Sequence, residues 1–145
     1  MNEIKWDELA SAALKMRTFS YVPYSKFAVG AALLSEDGEV YTGCNIENAS
    51  YPVGICAERT AFSKAVSEGV TRFRAIVIVG GPKGDAASEL CPPCGMCRQF
   101  MREFCSGDFP VALVRADEEN RILETKIFTL SELLPESFGP ENLDR

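Results

Sequence analysis

The chain has 145 residues, one domain's worth, with a formal net charge of −6 and a pI of about 4.8. Its hydrophobic share of 46% and charged share of 25% are those of a globular protein with enough chain to bury a core unaided. No apolar run approaches a membrane span, and no cluster of Lys and Arg offers a surface for a nucleic-acid backbone, so the composition favours a small, weakly charged partner.

Ile4 to Arg17 reads as an amphipathic helix, with Trp6, Leu9, Ala10, Ala13 and Leu14 at helical spacing. This charged start, Met1 to Lys15, does not resemble a signal peptide, and the expected location is the cytoplasm. Thr18 to Ser25 is a loop. Phe27 to Leu34 is a buried strand, Asp37-Gly38 a hairpin turn, and Val40 to Cys44 the returning strand. Asn45 to Tyr51 is a polar loop; taken locally, its Asn and Ser residues are accounted for by turn chemistry. Cys56 to Glu68 is a helix with Gly69 as its cap, and Phe73 to Val79 is a strand, apolar but for Arg74. Gly80 to Glu89 reads as a loop, and a helix runs from Cys94 to about Cys105. Pro110 to Arg115 and Arg121 to Phe128 are strands, and Thr129 with Glu132 forms a capping box for a short helix stopped by Pro135. Strands alternating with helices predict a layered α/β domain over residues 1–145, its helices packed on one mixed sheet.

The chemistry concentrates in two stretches. Pro93-Cys94-Gly95-Met96-Cys97 opens a helix behind two prolines, which suit a first helical turn. Residues three apart share a helical face, so Cys94 and Cys97 can meet one centre. Cys56-Ala57-Glu58 opens another helix with a third Cys and an acid two residues on. Three sulfurs fill three of zinc's four tetrahedral positions and leave one for water, the arrangement of a catalytic site. The chain has no His, so any such site must use sulfur or carboxylate. Helix N-termini favour thiolate, the form that binds metal. Glu58 is the carboxylate placed to act on water at the open position. Three thiolates leave zinc with a net negative charge, and Arg59 and Arg98 are the adjacent residues able to offset it by charge-assisted hydrogen bonds, Arg59 foremost. Of the remaining Cys residues, Cys44 and Cys105 read as core, and Cys91, ahead of two prolines, stands outside the helical face.

The spacing Cys-x-Glu followed by Pro-Cys-x-x-Cys is similar to the signature of the zinc deaminases. Further segments narrow the likeness: Tyr24-Ser25-Lys26-Phe27-Ala28-Val29-Gly30, Gly43-Cys44-Asn45-Ile46-Glu47-Asn48-Ala49-Ser50-Tyr51, Cys97-Arg98-Gln99 and Leu133-Leu134-Pro135-Glu136-Ser137-Phe138. Together these make the chain resemble the small cytidine deaminases of pyrimidine salvage, with Pro92 standing where that family usually has Ser. The resemblance implies a three-layer α/β/α fold around a mixed five-stranded sheet, and one zinc ion per chain on Cys56, Cys94 and Cys97. It implies that Phe27 lies against the nucleoside, that Asn45 and Glu47 hold the ribose hydroxyls, that Tyr51 belongs to the same substrate-binding set, and that the Ala57 backbone meets the base. It also implies a homotetramer in which Phe138 stacks on the base bound by a neighbouring subunit; from its polar surroundings alone, Phe138 would be expected to fold back on its own domain. The implied reaction is hydrolytic removal of the amine of cytidine and deoxycytidine, with Glu58 carrying protons from water to N3 and then to the leaving ammonia. Two other readings were open. A structural zinc module would need Cys91 or Cys44 as fourth ligand, and a dithiol redox pair at Cys94 and Cys97 would leave Cys56 without a role.

Overall fold

A computed structural model describes residues 3–144. Helix α1 spans Trp6–Arg17; Lys5 takes the N-cap position without a capping side chain, so Ile4 stays outside the helix. Strands β1 (Phe27–Ser35) and β2 (Val40–Cys44) pair antiparallel through the Asp37-Gly38 turn, where the Ser35 amide donates to Glu39 O at 2.8 Å and the Gly38 amide to Ser35 O at 3.1 Å. Helix α2 is Ala57–Ser67, β3 is Phe73–Pro82, α3 is Gly95–Phe104, β4 is Pro110–Ala116 and β5 is Ile122–Thr129. Helix α4, Leu130–Leu133, is entered through the reciprocal Thr129–Glu132 capping box that the sequence announces.

The five strands lie in the order β2-β1-β3-β4-β5. β3 and β4 are parallel and the other neighbours antiparallel, so the sheet is mixed. β3 reaches three residues past its expected end at Val79, because Gly80, Gly81 and Pro82 pair with Val29, Ala28 and Phe27 of β1. Turn-type residues are held in a strand here by a partner far away in sequence.

Side-chain alternation divides the core into two layers. Ala31, Leu33, Ile76, Ile78, Val111 and Leu113 point to the face covered by α2 and α3, where Ala61, Phe62, Cys97 and Met101 meet them. Ala32, Leu34, Val77, Val79, Ala112 and Val114 point to the opposite face, covered by Leu9, Ala10, Ala13 and Leu14 of α1. Helices on both faces make the three layers. Burial on both sides is why β3 reads as an apolar run from Ala75 to Val79.

Two glycines let the helices approach. A Cβ on Gly43 of β2 would overlap the Ala57 carbonyl and come within 2.5 Å of the Ala61 amide of α2. One on Gly30 of β1 would overlap the Ala13 carbonyl and come within 2.9 Å of the Arg17 amide of α1. The path from β2 to α2 and the path from β3 to α3 bring two helix N-termini together at one end of the sheet, the end where α/β folds place ligands.

Candidate active site

Cys56 and Cys94 occupy the N-cap positions of α2 and α3, each in extended backbone and each without a side-chain capping bond. An Asp or Ser there would turn its side chain onto the helix amides. These sulfurs turn to each other instead. Cys56 Sγ lies 3.8 Å from Cys94 Sγ, and Cys94 Sγ lies 3.6 Å from Cys97 Sγ. All three sulfurs fall within 4.8 Å of one another, and no other acid or thiol belongs to the group among the described residues. Around a tetrahedral metal with bonds of about 2.3 Å, neighbouring sulfurs stand about 3.8 Å apart. The donor set therefore fits a soft, tetrahedral ion with three protein ligands and one position left over. Cys44 and Cys91, the possible fourth ligands of a closed site, lie outside the cluster.

The Cys56 thiol is held down to about 5, first by its hydrogen bond with Cys97 and then by Arg59 and Cys94; burial opposes the shift. Cys97, the buried partner, is pushed up by the same hydrogen bond and by desolvation. Of the two arginines adjacent to the site, Arg59 reaches it: Nη2 donates to Cys56 Sγ at 3.7 Å, while its buried Nε has no hydrogen-bond partner. Arg98 does not. Its Nε donates to Pro93 O at 2.7 Å and its Nη1 to Leu133 O at 2.6 Å, so two carbonyls, not a thiolate, take this cation.

Glu58 is in the first turn of α2 and only 4% exposed. Burial pushes its carboxyl up to about 7, and the Cys56 charge adds to the effect. A carboxyl poised near neutrality exchanges protons readily at working pH. Thr60 Oγ1 donates to both Cys44 O (3.0 Å) and Cys56 O (3.2 Å), tying this turn to the end of β2.

A cleft of about 460 Å³ opens over this cluster, lined among others by Asn45, Glu47, Tyr51, Ala57, Glu58 and Cys91. A second hollow of about 380 Å³ shares Glu47, Tyr51 and Gly54 with it and adds Tyr24 and Ser25. Asn45 braces the start of β1: Oδ1 accepts from the Val29 amide and Nδ2 donates to Phe27 O, both at 2.9 Å. Glu47 Oε1 accepts from the amides of Tyr24 and Ser25, each at 3.0 Å. The Ser25 hydroxyl and these amides hold the Glu47 carboxyl below its usual range. Ala57 is fully buried at the first position of α2, where a helix leaves its amide without an internal partner. A larger cleft, about 970 Å³, lies at the far end of β3 and β4 beside Arg72 and Phe104 and holds none of these groups.

The family profile described as "Cytidine and deoxycytidylate deaminase zinc-binding region" matches residues 4–113. The chain belongs to the cytidine and deoxycytidylate deaminase family. It is 49% identical over 137 residues to a cytidine deaminase of Sporosarcina psychrophila, covering 94% of this chain and 93% of that protein. It is 47% identical over 136 residues to one of Halalkalibacterium halodurans, covering 94% and 96%. The crystal structure of cytidine deaminase from Burkholderia pseudomallei superposes with a TM-score of 0.78 at 38% identity, covering 93% of this chain and all of that one.

Within this deaminase fold, Phe27 begins β1 and stays partly exposed, its ring against Gly80. Tyr51 sits on a single 3₁₀ turn, its ring centre 5.7 Å from that of Tyr24. Phe138 is 57% exposed and is not among the residues lining the cleft of its own chain. Sequence reasoning missed two features of the cleft. Tyr24 and Ser25 serve Glu47 through backbone amides, which carry no residue-type signal. Cys91, set aside as a bystander, forms part of the cleft wall: a Cβ on Gly80 would lie 2.6 Å from its sulfur.

Proposed function

We propose that this chain catalyses the zinc-dependent hydrolytic deamination of cytidine and deoxycytidine, giving uridine and deoxyuridine with release of ammonia, as a step of pyrimidine salvage. The observation that carries the reading is one buried carboxyl, Glu58, beside three convergent sulfurs at the floor of a cleft. Cys56, Cys94 and Cys97 would hold one zinc ion, which supplies a Lewis acid and lowers the pKa of the attacking water toward about 7. Glu58 accepts a proton from that water and passes it to N3 of the pyrimidine, raising the electrophilicity of C4. The water oxygen bonds to C4 as N3 takes the first proton, making C4 tetrahedral; Glu58 then carries the second proton to the exocyclic nitrogen, so that C4–N breaks, the C4=O bond closes and ammonia leaves. A carboxyl held near 7 is suited to both directions of transfer. The Arg59 guanidinium offsets part of the negative charge of the sulfurs.

Phe27 lies against the nucleoside, and the Ala57 amide meets the base. Asn45 and Glu47 take the ribose hydroxyls, with Tyr51 beside them. This role is compatible with their internal bonds: each Asn45 amide atom retains one bonding direction, and Glu47 retains Oε2. The working form is a homotetramer in which Phe138 closes a neighbour's cleft. An exposed aromatic outside its own cleft supports that reading. The test adds cytidine to zinc-loaded protein and follows the loss of cytidine absorbance and the appearance of ammonia. Turnover that disappears with chelator and returns with zinc is expected; absence of turnover in protein of verified zinc content overturns the reading.

A further inference from the structure

We infer that Gln99 and Arg102, on α3, are positioning residues that hold the backbone around Phe138 so that its ring stands ready for a bound nucleoside. The inference rests on the proposed role of Phe138 and deepens it.

The segment between α4 and the 3₁₀ turn at Pro140–Asn142 has no regular structure of its own. This segment and the residues flanking it are nevertheless tied, through one backbone carbonyl of the segment and through side chains, to the helix that carries Cys97. Arg98 Nη1 holds Leu133 O, and Gln99 Nε2 donates to Phe138 O at 2.9 Å. Arg102 Nε donates to Ser137 Oγ at 2.8 Å, and its two terminal nitrogens form a forked ion pair with Glu141. The Gly139 amide donates to Asn142 Oδ1 at 2.8 Å, closing the segment on itself. Gly139 lies flat on the Arg102 guanidinium, and a Cβ there would overlap it. Residues 98 and 102 are one helical turn apart and 99 is beside them, so one stretch of α3 supplies these anchors.

The pattern is specific: the Phe138 carbonyl and the Ser137 side chain before it are tied to α3, and the ring is left out in solvent. A tail serving only to finish the domain would bury its large aromatic. A tail that presents its aromatic to another surface needs this arrangement, because an unanchored segment would have to be ordered when ligand binds, and that lowers affinity.

The experiment is a double-mutant cycle in full-length, zinc-loaded protein. Gly139→Ala and Gln99→Met are each made alone and together with Phe138→Ala, with zinc content and oligomeric state checked. Each single clip variant should raise KM for cytidine on the order of tenfold with kcat within about twofold of the parent, and should add less than about twofold once Phe138 is gone. Equal rises in KM with and without Phe138 overturn the inference, as does a parental KM in both clip variants while Phe138→Ala raises it. A parental KM in Phe138→Ala itself overturns the role of Phe138 and the clip together, which separates the two failures. Gln99→Met removes a single surface hydrogen bond and serves if Gly139→Ala does not fold.

Discussion

Glu58 and Arg59 are neighbours in one helical turn, yet their environments assign them different work. Glu58 is buried, and desolvation outweighs the Arg59 charge and pushes its carboxyl up to about 7, which suits the proton transfers proposed for it. Glu58→Gln keeps the shape and removes the proton. We expect unchanged metal content and melting temperature, and turnover lower by roughly a hundred- to ten-thousand-fold, more if the loss at both transfers compounds. Near-parental kcat would remove Glu58 from the mechanism. Arg59 touches a sulfur and leaves one buried nitrogen without a partner, a costly placement unless the charge it faces is negative. Arg59→Gln should therefore weaken zinc retention against a competing chelator, read as faster metal transfer to a colorimetric dye. Retention equal to the parent would make Arg59 a packing residue only. The fate of Arg98 could not be read from its position beside Cys97, because its carbonyl partner Leu133 lies 35 residues away.

The site exists because two helices begin at the same place, and that depends on how closely each sits on the sheet. Gly43 fixes the height of α2, whose N-cap and first turn carry Cys56 and Glu58. Gly43→Ala should cost about 1–3 kcal/mol by overpacking and also lower zinc affinity and kcat. Gly30→Ala crowds α1 on the opposite face, so it should cost a similar amount of stability while the folded fraction keeps parental zinc affinity. Thermal melts combined with metal titration distinguish them; equal effects of both on zinc would show that helix height is not what sets the metal geometry. Most elements were legible because local and global signals agree: the small and apolar run of β1, the apolar run Ala75 to Val79 in β3, and the Thr129–Glu132 box before α4. The end of β3 was not, because Gly80-Gly81-Pro82 follows its pairing with β1 against its own turn propensity. The same holds for Asn45 and Glu47: their types suggested turns or hydroxyl binding, while their bonds to Phe27, Val29, Tyr24 and Ser25 arise from tertiary proximity.

At the scale of the molecule, the chain belongs to the deaminase family, and Phe138 is exposed away from the cleft of its own chain. If the site is shared, inactive chains should complement each other. Glu58→Gln and Phe138→Ala chains, unfolded and reassembled together with zinc, should regain part of the nucleoside affinity and turnover that neither has alone. Verified mixed oligomers with no gain would confine the site to one chain. No helix among the described residues is long and apolar enough to cross a membrane.

If Cys56, Cys94 and Cys97 are the ligands proposed above, oxidation threatens the centre. Three thiols within 4.8 Å cannot all be satisfied by oxidation: two join, and the third is left odd. An oxidant acting on metal-free protein would thus remove two ligands in one event and leave a centre unable to rebind its ion. On the proposed zinc site, bound metal would act as a protecting group, and protein stripped of it in air should need a reductant, not only zinc, to recover.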